Sequence, residues 1–293
     1  MKIKVLNILF LSILFFSSCS KPISNFLIKE SETTAPAKVS FQNNSKKADR
    51  YVWEFGDGKT ATDSAAKHIY RRSGNYIVIL KAYKGKKMSE SKQQVTVNAP
   101  LECMIEIETE FGTMVATLNN STPLHRDNII KLADEGYYDE LIFHRVINEF
   151  MIQGGDPQSR GAGREVQLGG GGPDYRIPAE FIDSLFHVKG ALAAARSNNP
   201  KKESSGSQFY IVHGKKWTAE QLDMVESQKG IRYTPEQRKA YMEVGGTPFL
   251  DREYTVYGHV VKGLDVIDKI AEGAKDGRDR PMKDVKMKIR VIK

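Results

Sequence analysis

The sequence predicts a chain dominated by β-structure: a small β-sandwich, then a closed antiparallel β-barrel capped by two helices and carrying a helical insertion. Three observations predict it. Short alternating segments separated by Gly, Asn and Ser turns recur between residues 39 and 97. A hairpin pattern opens the region after residue 102, and the apolar segments beyond it outnumber the two amphipathic helical stretches among them. A length of 293 residues allows about two domains, and 40% hydrophobic residues suffices for ordinary cores.

At the N-terminus, Lys2 and Lys4 precede an apolar run, Val5 to Phe16, too short for a spanning helix and suited to an export signal over residues 1–18. Phe16-Ser17-Ser18-Cys19 follows. It resembles the lipobox of bacterial lipoproteins, with Phe16 where Leu is usual, which implies lipidation of Cys19 and anchoring in the cell envelope. Ser20 carries no obvious inner-membrane retention signal, so the expected location is the outer membrane, facing the periplasm. With Cys19 consumed, Cys103 has no disulfide partner; its place in the alternation Cys103, Ile105, Ile107 marks a buried structural thiol. Residues 19–36 lack sustained periodicity and read as a tether.

The sandwich strands follow in order: Val39-Ser40-Phe41, Tyr51 to Phe55, Tyr76 to Leu80 and Val95-Thr96-Val97. Trp53 and Phe55 point inward on a strand that runs into Gly56-Asp57-Gly58, a turn demanding positive φ. With His68-Ile69-Tyr70 and Gly74-Asn75-Tyr76, residues 37–98 resemble a PKD domain, an Ig-like sandwich common in extracellular proteins. Asp57 has two readings, a turn former or a calcium ligand, and the turn is the plainer one. The formal charge of +8 is concentrated here: residues 35–98 carry 13 basic and 5 acidic side chains, whereas residues 99–293 net −2.

The second region, 102–293, opens with Ile105 to Thr109 and Thr113 to Leu118 around Phe111-Gly112. A helix is expected next, capped by Thr122, started by Pro123, with Leu124, Asn128 and Leu132 on one face and Gly136 as its stop. Further strands are expected at Leu141 to Val146, Ala191 to Ala195, Phe209 to Val212, Thr255 to Val261 and Val285 to Ile292, with a second helix at Leu264 to Ala271.

Two runs carry the chemistry. FHRVINEFMIQGGDP, residues 143–157, places the permanent cation Arg145 near apolar side chains and one amide, Gln153; GSQFY, residues 206–210, follows. With Phe249-Leu250-Asp251 and Tyr257-Gly258 they resemble the catalytic core of a cyclophilin, a peptidyl-prolyl cis-trans isomerase, over roughly residues 102–293. The resemblance implies a proline-binding pocket at Phe150, Met151, Tyr210 and Leu250, a neighbouring groove at Ala195, Arg196 and Gln208, and Arg145 as catalytic arginine supported by Gln153. It departs from the family at Phe249, where many members have a Trp that helps bind cyclosporin, at Tyr254 in place of a histidine, and at Tyr210 in place of a Phe. Weak cyclosporin sensitivity is therefore expected.

These residue types suit the reaction. Rotation about an amide meets a barrier of roughly 18–20 kcal/mol because nitrogen shares its lone pair with the carbonyl. A catalyst needs no nucleophile, metal or cofactor; it must grip the ring and stabilise a twisted amide, for which a guanidinium has fixed donors and a fixed charge. Apart from the calcium reading of Asp57, no metal site is expected, because the histidines show no ligand spacing, and Gly169 to Gly172 lacks the Lys of a phosphate loop.

Residues 218–247 are an insertion relative to the resemblance. Thr218 with Gln221, and Thr234 with Pro235 and Gln237, predict two short capped helices, either a wall beside the groove or a peripheral decoration. The expected partners are proline-containing polypeptides, the membrane through the lipid, and no nucleic acid. A second class of function stands beside the foldase: a lipoprotein whose basic sandwich binds anionic envelope polymers and whose pocket only captures proline segments.

Overall fold

The computed structural model describes residues 21–98 and 103–292, so the export signal and Cys19 lie outside the described residues. The chain divides into two compact units, one ending at Val95 and the other running mainly from Thr96 onward. No helix among the described residues is long and apolar enough to cross a membrane.

Among the described residues the first unit has seven strands: β1 (Phe26–Ser31), β2 (Ala37–Asn43), β3 (Arg50–Glu54), β4 (Thr60–Ala61), β5 (Ala66–Tyr70), β6 (Gly74–Lys84) and β7 (Lys87–Val97). They form two sheets, ordered β1-β2-β5 and β4-β3-β6-β7. Alternation does the sorting: Ala37, Val39 and Phe41 of β2 and Val78, Leu80 and Ala82 of β6 are buried while intervening residues are not. Trp53 sits at the centre, with the Phe26 ring 5.2 Å away and the Phe41 ring at 5.6 Å.

This core corrects one expectation. The tether drawn through residue 36 contains β1, which pairs with β2 from Phe26↔Asn43 to Ser31↔Val39. Phe26 is fully buried. The segment escaped sequence reading because Leu27, on the opposite face, is exposed and blurs the period-two pattern. At the turn, Gly56 and Gly58 have φ of 83° and 85°. Both Asp57 carboxylate oxygens are engaged, one by the Lys59 N–H at 3.1 Å and the other by His68 Nε2 at 2.7 Å, which is the turn-forming role.

The second unit begins with the hairpin β8 (Cys103–Thr109) and β9 (Gly112–Leu118), then α1 (Pro123–Asp134), β10 (Leu141–Ile142), β11 (Arg145–Ile147) and β12 (Met151–Gly154). After β13 (Arg176–Ile177) come β14 (Ala191–Ala194), β15 (Ser204–Ser205) and β16 (Phe209–Val212). The insertion supplies α2 (Ala219–Lys229) and α3 (Pro235–Glu243). β17 (Val256–Lys262), α4 (Leu264–Glu272) and β18 (Lys286–Ile292) complete the chain.

Nine strands form one sheet in the order β10-β18-β8-β9-β17-β14-β16-β12-β11. Its two edge strands are consecutive in the chain. Only Phe143 and His144 separate them, and three peptide steps span about 10 Å, so the sheet must curl until its edges meet. The expected strand Leu141 to Val146 is therefore two strands at opposite ends of the ladder. Inside lie Ile105, Ile107, Leu192, Phe209, Ile211 and Ile289; α1 packs on β17 and β18, and α4 on β9, β11 and β12. Cys103 is buried there with a free thiol, and burial pushes its pKa up.

Both insertion helices carry the expected capping boxes, Thr218 with Gln221 and Thr234 with Gln237. Thr122 departs from its expected role: its hydroxyl donates to the Asn119 carbonyl instead of accepting. The exposed donors of α1 are satisfied by Glu180, whose carboxylate accepts from the Leu124 and His125 N–H groups at 3.1 and 3.0 Å. Gly136, with φ 67°, ends the helix region.

Candidate active site

Strand register assembles the site. Arg145 stands opposite Gln153, Gln153 opposite Tyr210, Tyr210 opposite Ala193, and Ala193 opposite Val256. Residues directly opposite in an antiparallel ladder share a face, so these five form one row across β11, β12, β16, β14 and β17. Their neighbours Val146, Ile152, Ile211 and Leu192 point into the barrel core. The row is therefore on the outer face.

An apolar cluster covers that face, made of Met151, Ala191, Ala193, Ala195, Tyr210, Val212 and Val256, with Phe150, Leu250 and Tyr254 packed against it. Six of the residues expected around a proline ring or its groove, Phe150, Met151, Ala195, Tyr210, Leu250 and Tyr254, thus come together from five separate parts of the chain. Phe249 stands at the rim, 45% exposed, its ring 5.7 Å from Phe150 and 6.1 Å from Trp217. Phe249 has no ring donor, and the Trp217 indole N–H beside it donates to the Gly246 carbonyl at 2.9 Å.

Arg145 borders the cluster with its side chain 43% exposed, its Nε 3.7 Å from a carboxylate oxygen of Asp279. Gln153, the expected supporter, has a different engagement. Its amide donates to the Gln208 side chain at 3.1 Å, and Gln208 donates to the Gly169 and Gly171 carbonyls at 3.0 and 2.7 Å. Among the described residues no hydrogen bond joins the Arg145 and Gln153 side chains. Arg196 is fastened to Glu253, through the backbone carbonyl at 2.9 Å and the carboxylate at 3.2 Å, and lies 4.7 Å over the Tyr254 ring.

Beneath the cluster runs a polar network that sequence reasoning missed. Burial pushes the Tyr210, Tyr233 and Tyr241 phenols well up, so each keeps its proton and donates. Tyr233 and Tyr241, both from the insertion, donate to one oxygen of Asp251 at 2.8 and 2.6 Å. The other oxygen accepts from the His187 N–H at 2.9 Å and from Nδ1 at 2.7 Å. With its proton on Nδ1, His187 accepts at Nε2 from the Tyr210 hydroxyl at 2.9 Å. The extra hydroxyl of Tyr210 is thus directed away to His187. Asp251 was legible only as the residue after Phe249-Leu250; nothing in sequence spacing links it to residues 187, 210, 233 and 241.

Comparison with known proteins identifies the family of each region. Residues 104–291 match the family described as cyclophilin type peptidyl-prolyl cis-trans isomerase, and residues 19–99 match the PKD domain. A Streptococcus pyogenes protein described as a bifunctional phosphatase/peptidyl-prolyl cis-trans isomerase is 40% identical over 184 residues, 62% of this chain and 37% of that protein. A Staphylococcus aureus protein described as a peptidyl-prolyl cis-trans isomerase is 37% identical over 185 residues, 63% of this chain and 88% of that one. A crystal structure of a Cryptosporidium parvum cyclophilin type isomerase superposes with a TM-score of 0.48 at 24% identity, covering 66% of this chain and 98% of its own. The chain belongs to the cyclophilin-type peptidyl-prolyl cis-trans isomerases, with a PKD domain preceding the isomerase domain.

Proposed function

We propose that this isomerase works on exported polypeptides from a lipid anchor at Cys19, gripping the proline ring on the apolar cluster and using Arg145 to stabilise the twisted amide. The observation that carries the reading is the shared outer-face row: a permanent guanidinium at its solvent end and an apolar surface made by Met151, Phe150, Tyr210 and Leu250 along it. An acceleration of about 10⁵ asks for about 7 kcal/mol of differential stabilisation. Removing amide resonance concentrates electron density on the nitrogen, and a donor fixed there gains strength as the bond twists. Gln153 acts at one remove, shaping the groove through Gln208 and the Gly169–Gly171 backbone.

The test of mechanism is Arg145→Ala assayed on a chromogenic proline peptide. The expected result is a loss of about 100-fold or more in kcat/KM with the circular dichroism spectrum retained. Unchanged turnover would contradict the role given to Arg145 and favour a pocket that only captures proline segments. Anchoring is tested by Cys19→Ser in the full chain. Movement of the protein out of the membrane fraction, with loss of labelling by radioactive palmitate, is expected; an unchanged distribution would remove the anchor from the proposal.

A further inference from the structure

Beside the apolar cluster lies a second depression of about 680 Å³, bordered by Arg145, Arg196, Arg278 and Arg280, by His144, and by the Gly169–Gly170 backbone. Four guanidinium groups border it, and no carboxylate is among its described lining residues. The balancing acids act from outside the lining. Asp279 stands 3.7 Å from Arg145, Glu253 pairs with Arg196, and Asp284 pairs with Arg280 at 2.8 Å. Arg278 is exposed; its side chain donates to the Arg164 backbone carbonyl and forms no ion pair among the described residues, while Asp276 accepts its backbone N–H at 2.8 Å and has its pKa held down in part by the Arg278 charge.

His144 supplies an independent observation. It is 4% exposed, and neither ring nitrogen makes a well-aligned hydrogen bond among the described residues, the Ile142 backbone acting on the ring only weakly. A buried polar group left unsatisfied is costly and rare in a folded chain, so a ring that lines a groove in this state invites a ligand acceptor or a bridging water. The buried Asp156, Arg145 and Arg280 all act on its charge, the carboxylate against the two guanidinium groups. Asp156 accepts from the Gly169 and Gly171 N–H groups and so holds the loop that lines part of the groove.

We infer that this groove receives a carboxylate side chain of the client, so that the enzyme favours prolyl bonds with an acidic residue close by in sequence. The inference rests on the isomerase reading and adds a substrate class to it. Because Arg145 borders both the apolar cluster and the groove, a client bound at the cluster brings its flanking residues within reach of the cations. Arg196 is preset by its Glu253 contacts and Arg280 by the Ala162 and Gly163 carbonyls, so neither needs ordering when an anion enters. Arg278, whose side chain forms no ion pair among the described residues, contributes a guanidinium that can turn to an entering anion.

The experiment uses the full chain and one peptide sequence in which the residue two before, one before, one after or two after the proline is Glu, Gln or Lys. At one of these positions at least, kcat/KM for Glu is expected to exceed that for Gln by about fivefold, the size of one good exposed charge interaction, with Lys below both. Salt should compress the ratio toward one, since partly exposed charges are screened. Arg278→Gln should reduce the Glu preference while leaving the Gln peptide's rate unchanged, and Arg278→Lys should retain most of it. Equal rates for Glu and Gln at every position would overturn the inference, and so would a preference that Arg278→Gln leaves intact. Absence of turnover with the Gln peptides as well would overturn the isomerase reading and this inference with it.

Discussion

At the scale of single residues, Asp251 matters because one buried carboxylate accepts from four donors on three parts of the chain. Tyr241 is fully buried, and Tyr241→Phe removes a hydrogen bond to a charged acceptor without opening a cavity. Stability is expected to fall by about 2 kcal/mol in denaturant unfolding, with Tyr233 still in place. His144 carries a second expectation. Burial, reinforced by Arg145 and Arg280 and opposed by Asp156, pushes its pKa down to about 4. The unfolded imidazole titrates near 6.5, so protons bind the unfolded chain first. The stability tied to the neutral ring is present above about pH 6.5 and is lost progressively as pH falls toward 4, amounting to about 3 kcal/mol at the lower end. His144→Phe should flatten that part of the stability profile; an unchanged slope would show that another group carries it. His144 and Arg145 were legible as neighbours in FHR, whereas the burial of the ring and the influence of Arg280 on it come only from the folded barrel.

At the scale of elements, the insertion is more than a decoration of the surface. α2 packs on the short turn Pro248–Leu250, Lys229 donates to the Phe249 carbonyl at 3.0 Å, and the Tyr233 hydroxyl that donates to Asp251 lies 3.0 Å from the Pro248 carbonyl. These contacts hold the backbone that presents Phe249 and Leu250. Replacing residues 218–245 with a short linker should therefore lower kcat/KM by about tenfold, because a pocket edge displaced by about 1 Å misplaces the ring. Peptide kinetics equal to those of the full chain would return the insertion to a peripheral role. The helices themselves were readable, since Thr-x-x-Gln is local chemistry. Their connection to the pocket was not, because a tyrosine in the link between two polar helices and another on the second give no sign of the carboxylate they will meet.

At the scale of the whole molecule, the proposed machinery from Arg145 to Arg280 lies wholly in the second unit, so the first is not needed for turnover of a small peptide. A chain lacking residues 21–98 is expected to keep kcat/KM on such a peptide within about twofold. A larger loss would assign the sandwich a part in catalysis. The net charge of residues 35–98 instead suits attachment, and salt-sensitive retention on anionic envelope fractions is its measurable sign. By itself the sequence determined the two-part β architecture, the turn at Gly56-Asp57-Gly58, the two capped insertion helices and Arg145, Gln153 and Tyr210 as candidates, because each rests on periodicity, local capping chemistry or contiguous motifs. Tertiary structure alone decided that β1 belongs to the sandwich, that Glu180 caps α1, that Gln153 engages Gln208, and that Asp251 joins the insertion to Tyr210. All four depend on which distant residue arrives opposite a polar or aromatic group once the sheets close, and spacing along the chain carries no record of that.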